Sequence, residues 1–230
     1  MIAALIVAAG KGTRMGGDCP KPYLKLGDRP ILAHCLKAFA DACLIDHIYL
    51  VVDRGEKSRC RNQLLPDLAL TTPVTLVEGG PERQTSVYNG LREITDSDGI
   101  VLIHDGARPF VPPDLITACI DGARQWMACI PALPATETLK RVNTQRCVEE
   151  TLERRHIWMA QTPQAFELSL IKQAHEEALR RGWQVTDDAC LLERTGVKVH
   201  VIEGRRENIK ITVPQDLVMA ELWLGSQGED

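Results

Sequence analysis

The sequence has no long apolar run. Its longest, Met1 to Ala9, falls well short of the roughly 20 residues that a bilayer span requires. No basic stretch precedes that run, so it does not read as a secretory leader, and the chain is expected to open directly on a folded strand. A surplus of positive charge is missing too: 27 Lys and Arg face 31 Asp and Glu, a formal net charge of −4. Nucleic-acid binders usually carry a basic footprint, so neither a nucleic-acid nor a membrane partner is expected. A small anionic ligand needs only a few local cations and stays open. The eight cysteines contain no CxxC pair, which argues against zinc-ribbon and redox-motif readings. Cys35, Cys119 and Cys129 sit among apolar residues, where a free thiol behaves as a small hydrophobe. Disulfide scaffolds are usually much shorter chains, so a reduced, cytoplasmic protein is expected. Internal repeats and low-complexity tracts are absent as well.

What is present is ordinary globular composition. The 230 residues are 44% apolar and 25% charged, enough for one sizeable core without staples. A single domain over 1–230 is expected. Short unbroken apolar runs recur at Ile2–Ala8, Ile48–Val52, Val74–Val77, Ile100–Ile103, Met127–Leu133 and Val197–Ile202, as in strands covered on both faces. Between them, Ile31, Leu32, Cys35, Leu36 and Phe39, then Val87, Leu91 and Ile94, then Leu115, Ile116, Cys119, Ile120 and Ala123 stripe helix faces. The alternation predicts an α/β fold, a Rossmann-like three-layer sandwich around a mostly parallel sheet. Residues 134–153 break the rhythm with two polar, β-tolerant segments around Asn143-Thr144-Gln145, read as a protruding hairpin arm. Its partner is either a second subunit or its own domain. Helices resume at Leu168–Arg181 and Asp187–Arg194, and Thr212 is expected to cap a last helix with Pro214 in its first turn.

The chemistry concentrates after the first strand, in LIVAAGKGTRMGGDCPKPYL. In α/β sheets ligands bind beyond the carboxyl ends of strands, and a glycine loop there turns backbone N–H groups toward phosphate. Lys11 is followed by Gly12 and lacks the Walker A spacing. Gly10, Gly12 and Gly16 give GxGxxxG, one residue too long for a dinucleotide fingerprint, and Asp53 lies too far on to bind the ribose. What remains is a loop bearing its own cations, Lys11, Arg14 and Lys21, which suits a triphosphate. Asp105 ends the apolar run IVLIHD and is a metal or hydroxyl ligand candidate. His104 before it reads as a structural histidine.

Further motifs follow in order: Gly79-Gly80-x-x-Arg83-x-x-Ser86-Val87, His104-Asp105-Gly106-Ala107-Arg108-Pro109, Ala160-Gln161-Thr162-Pro163-Gln164, Thr186-Asp187-Asp188-Ala189, Glu203-Gly204, and Asn208-Ile209-Lys210-Ile211-Thr212. Together with the first loop they resemble, along nearly the whole chain, the 2-C-methyl-D-erythritol 4-phosphate cytidylyltransferases of the non-mevalonate isoprenoid pathway, within the nucleotidyltransferase superfamily. That resemblance implies transfer of the cytidylyl group of CTP to methylerythritol phosphate, with release of pyrophosphate. It makes Arg14 and Lys21 transition-state stabilisers and gives Lys210 and Arg154 the acceptor phosphate. Ala8, Ala9, Gly79, Gly80 and Ser86 would read cytosine, with Gly10, Lys11, Gly12 and Gly106 also on CTP. Thr138, Thr162, Thr186, Arg108 and Asp105 would hold the acceptor, Asp105 also lying beside Mg2+. The arm would cross to the partner in a homodimer, so that each site is shared.

Three positions depart from the pattern of the resemblance: Val7 for a proline, Pro81 for an acidic residue, and Gly106 for an alanine. Pro81 donates no N–H, which bears on base selectivity. Two other readings stand beside this one. A ribitol-5-phosphate cytidylyltransferase shares most of these motifs, and a non-catalytic nucleotide-binding protein shares the fold.

Overall fold

A computed structural model describes residues 1–10 and 19–226. Lys11, Gly12 and Arg14 therefore lie outside the described residues. In chain order, β1 (Ile2–Val7), β2 (Lys25–Leu26) and β3 (Arg29–Pro30) lead into α1 (Ile31–Asp41) and β4 (His47–Val52). Residues 54–68 wind through short helical turns that include α2 (Lys57–Arg59) and α3 (Leu65–Leu68). Then come β5 (Val74–Glu78), α4 (Arg83–Glu93), β6 (Ile100–Asp105), α5 (Pro113–Trp126) and β7 (Ala128–Pro134). The arm carries β8 (Lys140–Val142) and β9 (Val148–Thr151), and the chain closes with β10 (Trp158–Ala160), β11 (Gln164–Glu167), α6 (Leu168–Arg181), α7 (Ala189–Arg194), β12 (His200–Glu203) and α8 (Pro214–Ser226).

The expected mostly parallel sheet is present. Strands β5, β4, β1 and β6 run parallel side by side. The segment holding β10 and β11 is antiparallel to its neighbours. Cys129 of β7 pairs with both Ala165 and His200, and Ala132 with both Ala160 and Glu203. So β10 and β11 share one edge of β7, while β12 lines the other. The apolar-run pattern did not reveal this antiparallel insertion, because residues 158–167 are mixed in polarity.

Alternation along β1 sorts the helices into two layers. Ala4, Ile6 and Ala8 face Leu32, Leu36 and Phe39 of α1 and Ile116 and Ile120 of α5. Ala3 and Leu5 face Val87 and Leu91 of α4, Ile171 and Ala174 of α6, and Leu191 and Leu192 of α7. Full burial of a large apolar side chain contributes ~1.5–3 kcal/mol, against tenths for helix propensity, so packing decides where these helices sit. A third cluster seats α8 through Ala220 and Leu217 against Leu26, Ile31 and Ile211.

Three boundaries differ from expectation. The last strand begins at His200 instead of Val197, because the Val197 N–H closes the end of α7 on Leu192 O at 3.0 Å and Val197 and Val199 pack against the helical layer. Helix α7 starts at Ala189, since the Asp187 carboxylate turns back to accept the Cys190 N–H at 3.1 Å. Thr212 does not cap α8 by accepting; its N–H and hydroxyl both donate to Asp216 Oδ2, at 2.6 and 2.7 Å. The arm is a hairpin as read: β8 and β9 pair antiparallel, and Asn143 Oδ1 accepts the N–H groups of Gln145 and Cys147 across the turn. Every residue of its two strands is exposed.

Helix α4 approaches the sheet closely at Gly90, where an added Cβ would stand 2.6 Å from Leu5 Cδ1 and 3.0 Å from Val51 Cγ2. Gly90→Leu is expected to lower stability by about 1–3 kcal/mol through overpacking, read as a shift of the urea midpoint; an unshifted midpoint would contradict this packing.

Candidate active site

The parallel strands end together beneath one cavity of about 780 Å³. Backbone hydrogen bonds hold the strand-end loops in register: Ala8 N–H to Val51 O at 2.7 Å, Gly79 N–H to Val52 O at 2.8 Å, and Gly106 N–H to Val7 O at 2.9 Å. Of the residues singled out in the sequence, Ala8, Ala9, Gly10, Lys21, Gly79, Gly80, Ser86, Asp105, Gly106 and Lys210 all line this cavity. Segments separated by almost two hundred positions thus meet at one place.

The Gly79-Gly80 turn has little room for side chains. A Cβ on Gly79 would lie 2.2 Å from Ala9 Cβ, and one on Gly80 2.4 Å from Thr85 Cγ2. Ser86 Oγ accepts the Gly80 N–H at 3.0 Å and donates to Glu82 O at 2.9 Å, so its hydroxyl shapes the turn ahead of α4. The departures Val7, Pro81 and Gly106 also line the cavity. At Gly106 a Cβ would come within 3.1 Å of Ala8 Cβ and of Leu32 Cδ1, a close fit for the alanine it replaces.

Charge is concentrated around Asp105. Its Oδ1 accepts from Arg83 Nε at 2.9 Å and its Oδ2 lies 2.7 Å from Lys210 Nζ. Burial by itself would raise the Asp105 pKa; Arg83 and then Lys210 outweigh it and hold the carboxyl well below the usual range. Arg83 also reaches Asp188 Oδ2 at 2.8 Å. Burial would raise Asp188 in the same way, and Arg83 and His175 hold it down. Lys21 stands on a short turn after Pro20 and donates from Nζ to Ile211 O at 3.0 Å. The two lysines are thereby tied to adjacent residues, Lys210 by its own position and Lys21 through its neighbour's carbonyl.

His104 and Thr162 lie beneath this layer. The Arg108 carbonyl can only accept, so His104 Nε2 is the N–H donor to it at 3.1 Å. In the neutral ring Nδ1 is then an acceptor and takes the Thr162 hydroxyl proton at 3.1 Å, while Thr162 Oγ1 accepts the Asp105 N–H, also at 3.1 Å. Both ring nitrogens are satisfied inside the protein, and burial pushes the imidazole down to about 4, keeping it neutral. Arg108 donates to Asn208 O at 2.7 Å, away from the cavity wall, and burial lowers its pKa. Thr186 is exposed just ahead of α7. Thr138 and Arg154 are exposed near the base of the arm, where Arg154 donates to Thr136 O. Within one chain the arm residues do not line the cavity.

Sequence reasoning missed Arg83, Asp188 and His175 as one linked cluster, although Arg83 and Asp188 both stood inside quoted motifs. Spacing alone gave no sign that Asp105 and Asp188, far apart in the chain, share a guanidinium. Among the described residues no three His, Cys, Asp or Glu side chains group as a metal cage, and no helix is long and apolar enough to cross a membrane.

Glycine turns and two lysines around the Asp105 carboxylate, at the open ends of a parallel sheet, are the features of a nucleotidyltransferase site. Residues 2–226 match the family model of 2-C-methyl-D-erythritol 4-phosphate cytidylyltransferase. Curated enzymes of that name from Nostoc punctiforme and Geotalea uraniireducens are each 44% identical to this chain; the first alignment covers 97% of this chain and 98% of the relative, the second 98% and 97%. A crystal structure of 4-diphosphocytidyl-2C-methyl-D-erythritol synthase from Anaerococcus prevotii superposes with a TM-score of 0.86 at 31% identity, covering 97% of this chain and 98% of its own. The Francisella tularensis 2-C-methyl-D-erythritol 4-phosphate cytidylyltransferase gives 0.82 at 34%, covering 96% and 98%. The chain belongs to the 2-C-methyl-D-erythritol 4-phosphate cytidylyltransferase family and is an enzyme.

The buried imidazole makes an acid-stability prediction. The folded pKa of His104 is depressed from 6.5 to about 4. The unfolded chain therefore binds a proton that the folded chain refuses between these values, and stability falls as pH drops through that window, by about 3 kcal/mol in full. Below it, Asp105 and Asp188 add a loss as they protonate. A His104→Asn variant should flatten the slope of urea midpoint against pH between 4 and 6.5; an unchanged slope would sink the assignment.

Proposed function

We propose that the chain transfers the cytidylyl group of CTP to 2-C-methyl-D-erythritol 4-phosphate, giving 4-diphosphocytidyl-2-C-methyl-D-erythritol and pyrophosphate. Family membership supports the reaction. The observation that carries the mechanism is the gathering of Lys21, Lys210 and Asp105 on the wall with the Gly79-Gly80 turn. An oxygen of the acceptor phosphate forms a bond to the α-phosphorus of CTP, and the bond from that phosphorus to the bridging oxygen breaks. Both reactants are anions, so the main obstacle is holding them together. Lys21 supplies a compact positive charge where charge builds on the phosphoryl oxygens, and the family resemblance gives Arg14 the same role. Lys210 and Arg154 orient the acceptor phosphate, Thr138 and Thr186 support its binding, and Thr162 and Arg108 act from behind the wall through Asp105 and Asn208. The attacking phosphate is already ionised and needs no strong general base.

Enzymes of this class generally use a divalent metal, and we take it to be Mg2+. Of the carboxylates that line the cavity, Asp53, Glu78, Glu82 and Asp105, the last stands beside Lys210 at the end of β6, and its hard oxygen donors fit a magnesium. Asp105 would hold it, each of its oxygens keeping a lone pair beyond its contact with Arg83 or Lys210. The metal would neutralise triphosphate charge. We take 1–230 as a single domain that acts in the cytoplasm, a compartment with which eight free cysteines agree.

The arm belongs to the proposal as a dimerisation element. It exposes Val142 and Val148 and has no core of its own, which favours a second copy over the chain's own domain as its partner. Arg154 and Thr138 would then complete the partner's cavity.

Two measurements check this reading. With CTP and each acceptor in turn, pyrophosphate release is expected with methylerythritol phosphate; release with ribitol 5-phosphate only would refute it. Lys21→Ala should lose turnover about 100-fold or more with the circular-dichroism spectrum retained. For the arm, Lys210→Ala and Arg154→Ala chains should each be inactive, yet recover roughly a quarter of wild-type turnover when mixed and allowed to exchange subunits, because half the dimers then hold one intact site in two. No recovery on mixing would exclude a site shared between subunits.

A further inference from the structure

Arg83 has no role in the reaction as described so far. It is the first residue of α4, directly after the turn that lines the nucleotide side of the cavity. Its side chain joins two carboxylates from distant parts of the chain. Nε donates to Asp105 Oδ1 at 2.9 Å and Nη1 to Asp188 Oδ2 at 2.8 Å. Asp105 closes β6 on the cavity wall. Asp188 lies two residues after Thr186, on the loop that enters α7.

That loop is held by a second layer. The other oxygen of Asp188 meets His175 Nε2 of α6 at 3.1 Å. Gln164 of β11 accepts the N–H groups of Asp188 and Ala189, both at 3.2 Å, and donates to Asp187 Oδ2 at 2.8 Å. The loop is thus firm, and Arg83 is the link from it to Asp105. A guanidinium offers donors in a fixed planar fork, which is how one side chain spans two carboxylates. A lysine keeps the charge but not the fork.

The electrostatic consequence concerns Lys210. Asp105 is shared between Arg83 and Lys210. With Arg83 present, the carboxylate is compensated from both sides, and Lys210 keeps positive field for an incoming phosphate. Without Arg83, Asp105 draws on Lys210 alone, and buried Asp188 loses its cationic partner.

We propose that Arg83 is a positioning residue for the transfer reaction. It straps the carboxylate at the end of β6 and the Thr186–Asp188 loop to the start of α4, fixing the spacing between nucleotide and acceptor, and it leaves Lys210 available to the acceptor phosphate. The inference rests on the cytidylyl-transfer reading and names a further residue for it.

The test compares wild type, Arg83→Lys and Asp188→Asn by steady-state kinetics, each with a urea midpoint. Arg83→Lys should lower kcat by about 10- to 100-fold through misplacement and raise KM for methylerythritol phosphate, with KM for CTP within about threefold and the fold retained. Asp188→Asn removes one leg of the strap and should give the same pattern, smaller. In Arg83→Ala, added guanidinium ion at millimolar concentration should restore part of the lost turnover. Wild-type kcat and KM in Arg83→Lys would overturn the inference. So would a loss that tracks a lowered urea midpoint and does not respond to guanidinium. If Arg83→Lys does not fold, unchanged kinetics in Asp188→Asn overturn it instead. No turnover by the wild-type chain would remove the underlying reading and the inference with it, an outcome distinct from a difference among variants.

Discussion

The Asp105 carboxylate, held between Arg83 and Lys210, is the constraint on which the site depends. It terminates a strand in which every residue is buried. A carboxylate in that position cannot stay ionised on its own, because the desolvation cost is several kcal/mol. Two cations make it tolerable, and they come from the start of α4 and from a segment ahead of α8. The folded chain must therefore bring these regions to one point, and the cavity forms where they meet. Lys21 joins the same arrangement through the carbonyl of Ile211.

Below that ionic layer is a neutral one. His104, Thr162 and the Arg108 carbonyl satisfy each other in a chain of hydrogen bonds whose direction follows from the carbonyl, which can only accept. Burial keeps the imidazole uncharged, so it adds no positive charge beneath Asp105. The positive charge facing the cavity then comes from the side chains on its wall, Lys21, Arg83 and Lys210 among them. The antiparallel segment 158–167 serves this layer: it carries Gln161, Thr162 and Gln164 into the sheet beside β6, where each makes side-chain bonds that strand pairing alone would not supply.

Much of this was legible in the residues. Unbroken apolar runs marked the buried parallel strands, and three- and four-residue spacings marked α1, α4 and α5, because those patterns record which faces are covered. The arm was legible for the opposite reason: a polar stretch around Asn143-Thr144-Gln145 has nothing to bury. The glycine loop and Lys21 stood out as groups suited to phosphate, Asp105 stood out as a metal or hydroxyl ligand candidate at a strand end, and the order of the motifs carried the resemblance to a cytidylyltransferase that added Lys210. Residues 158–167 were not legible, since their strand character comes from pairing with β6 and β7. The capping of α8 by Asp216 was not either, because Thr212 fits a cap by type whichever group accepts.

The sequence by itself determined the layered α/β architecture and the strand ends at which a ligand would sit, since both follow from local periodicity and residue type, while the chemistry class came with the resemblance carried by the order of the motifs. Only the tertiary structure decided which charges share a partner. Arg83, Asp105, Asp188, His175 and Lys210 come from five separated segments, and their pairing depends on distances of about 3 Å that arise only once both helical layers are packed on the sheet. Coulomb attraction and desolvation vary steeply over such distances, so the electrostatic identity of the site belongs to the fold rather than to any motif.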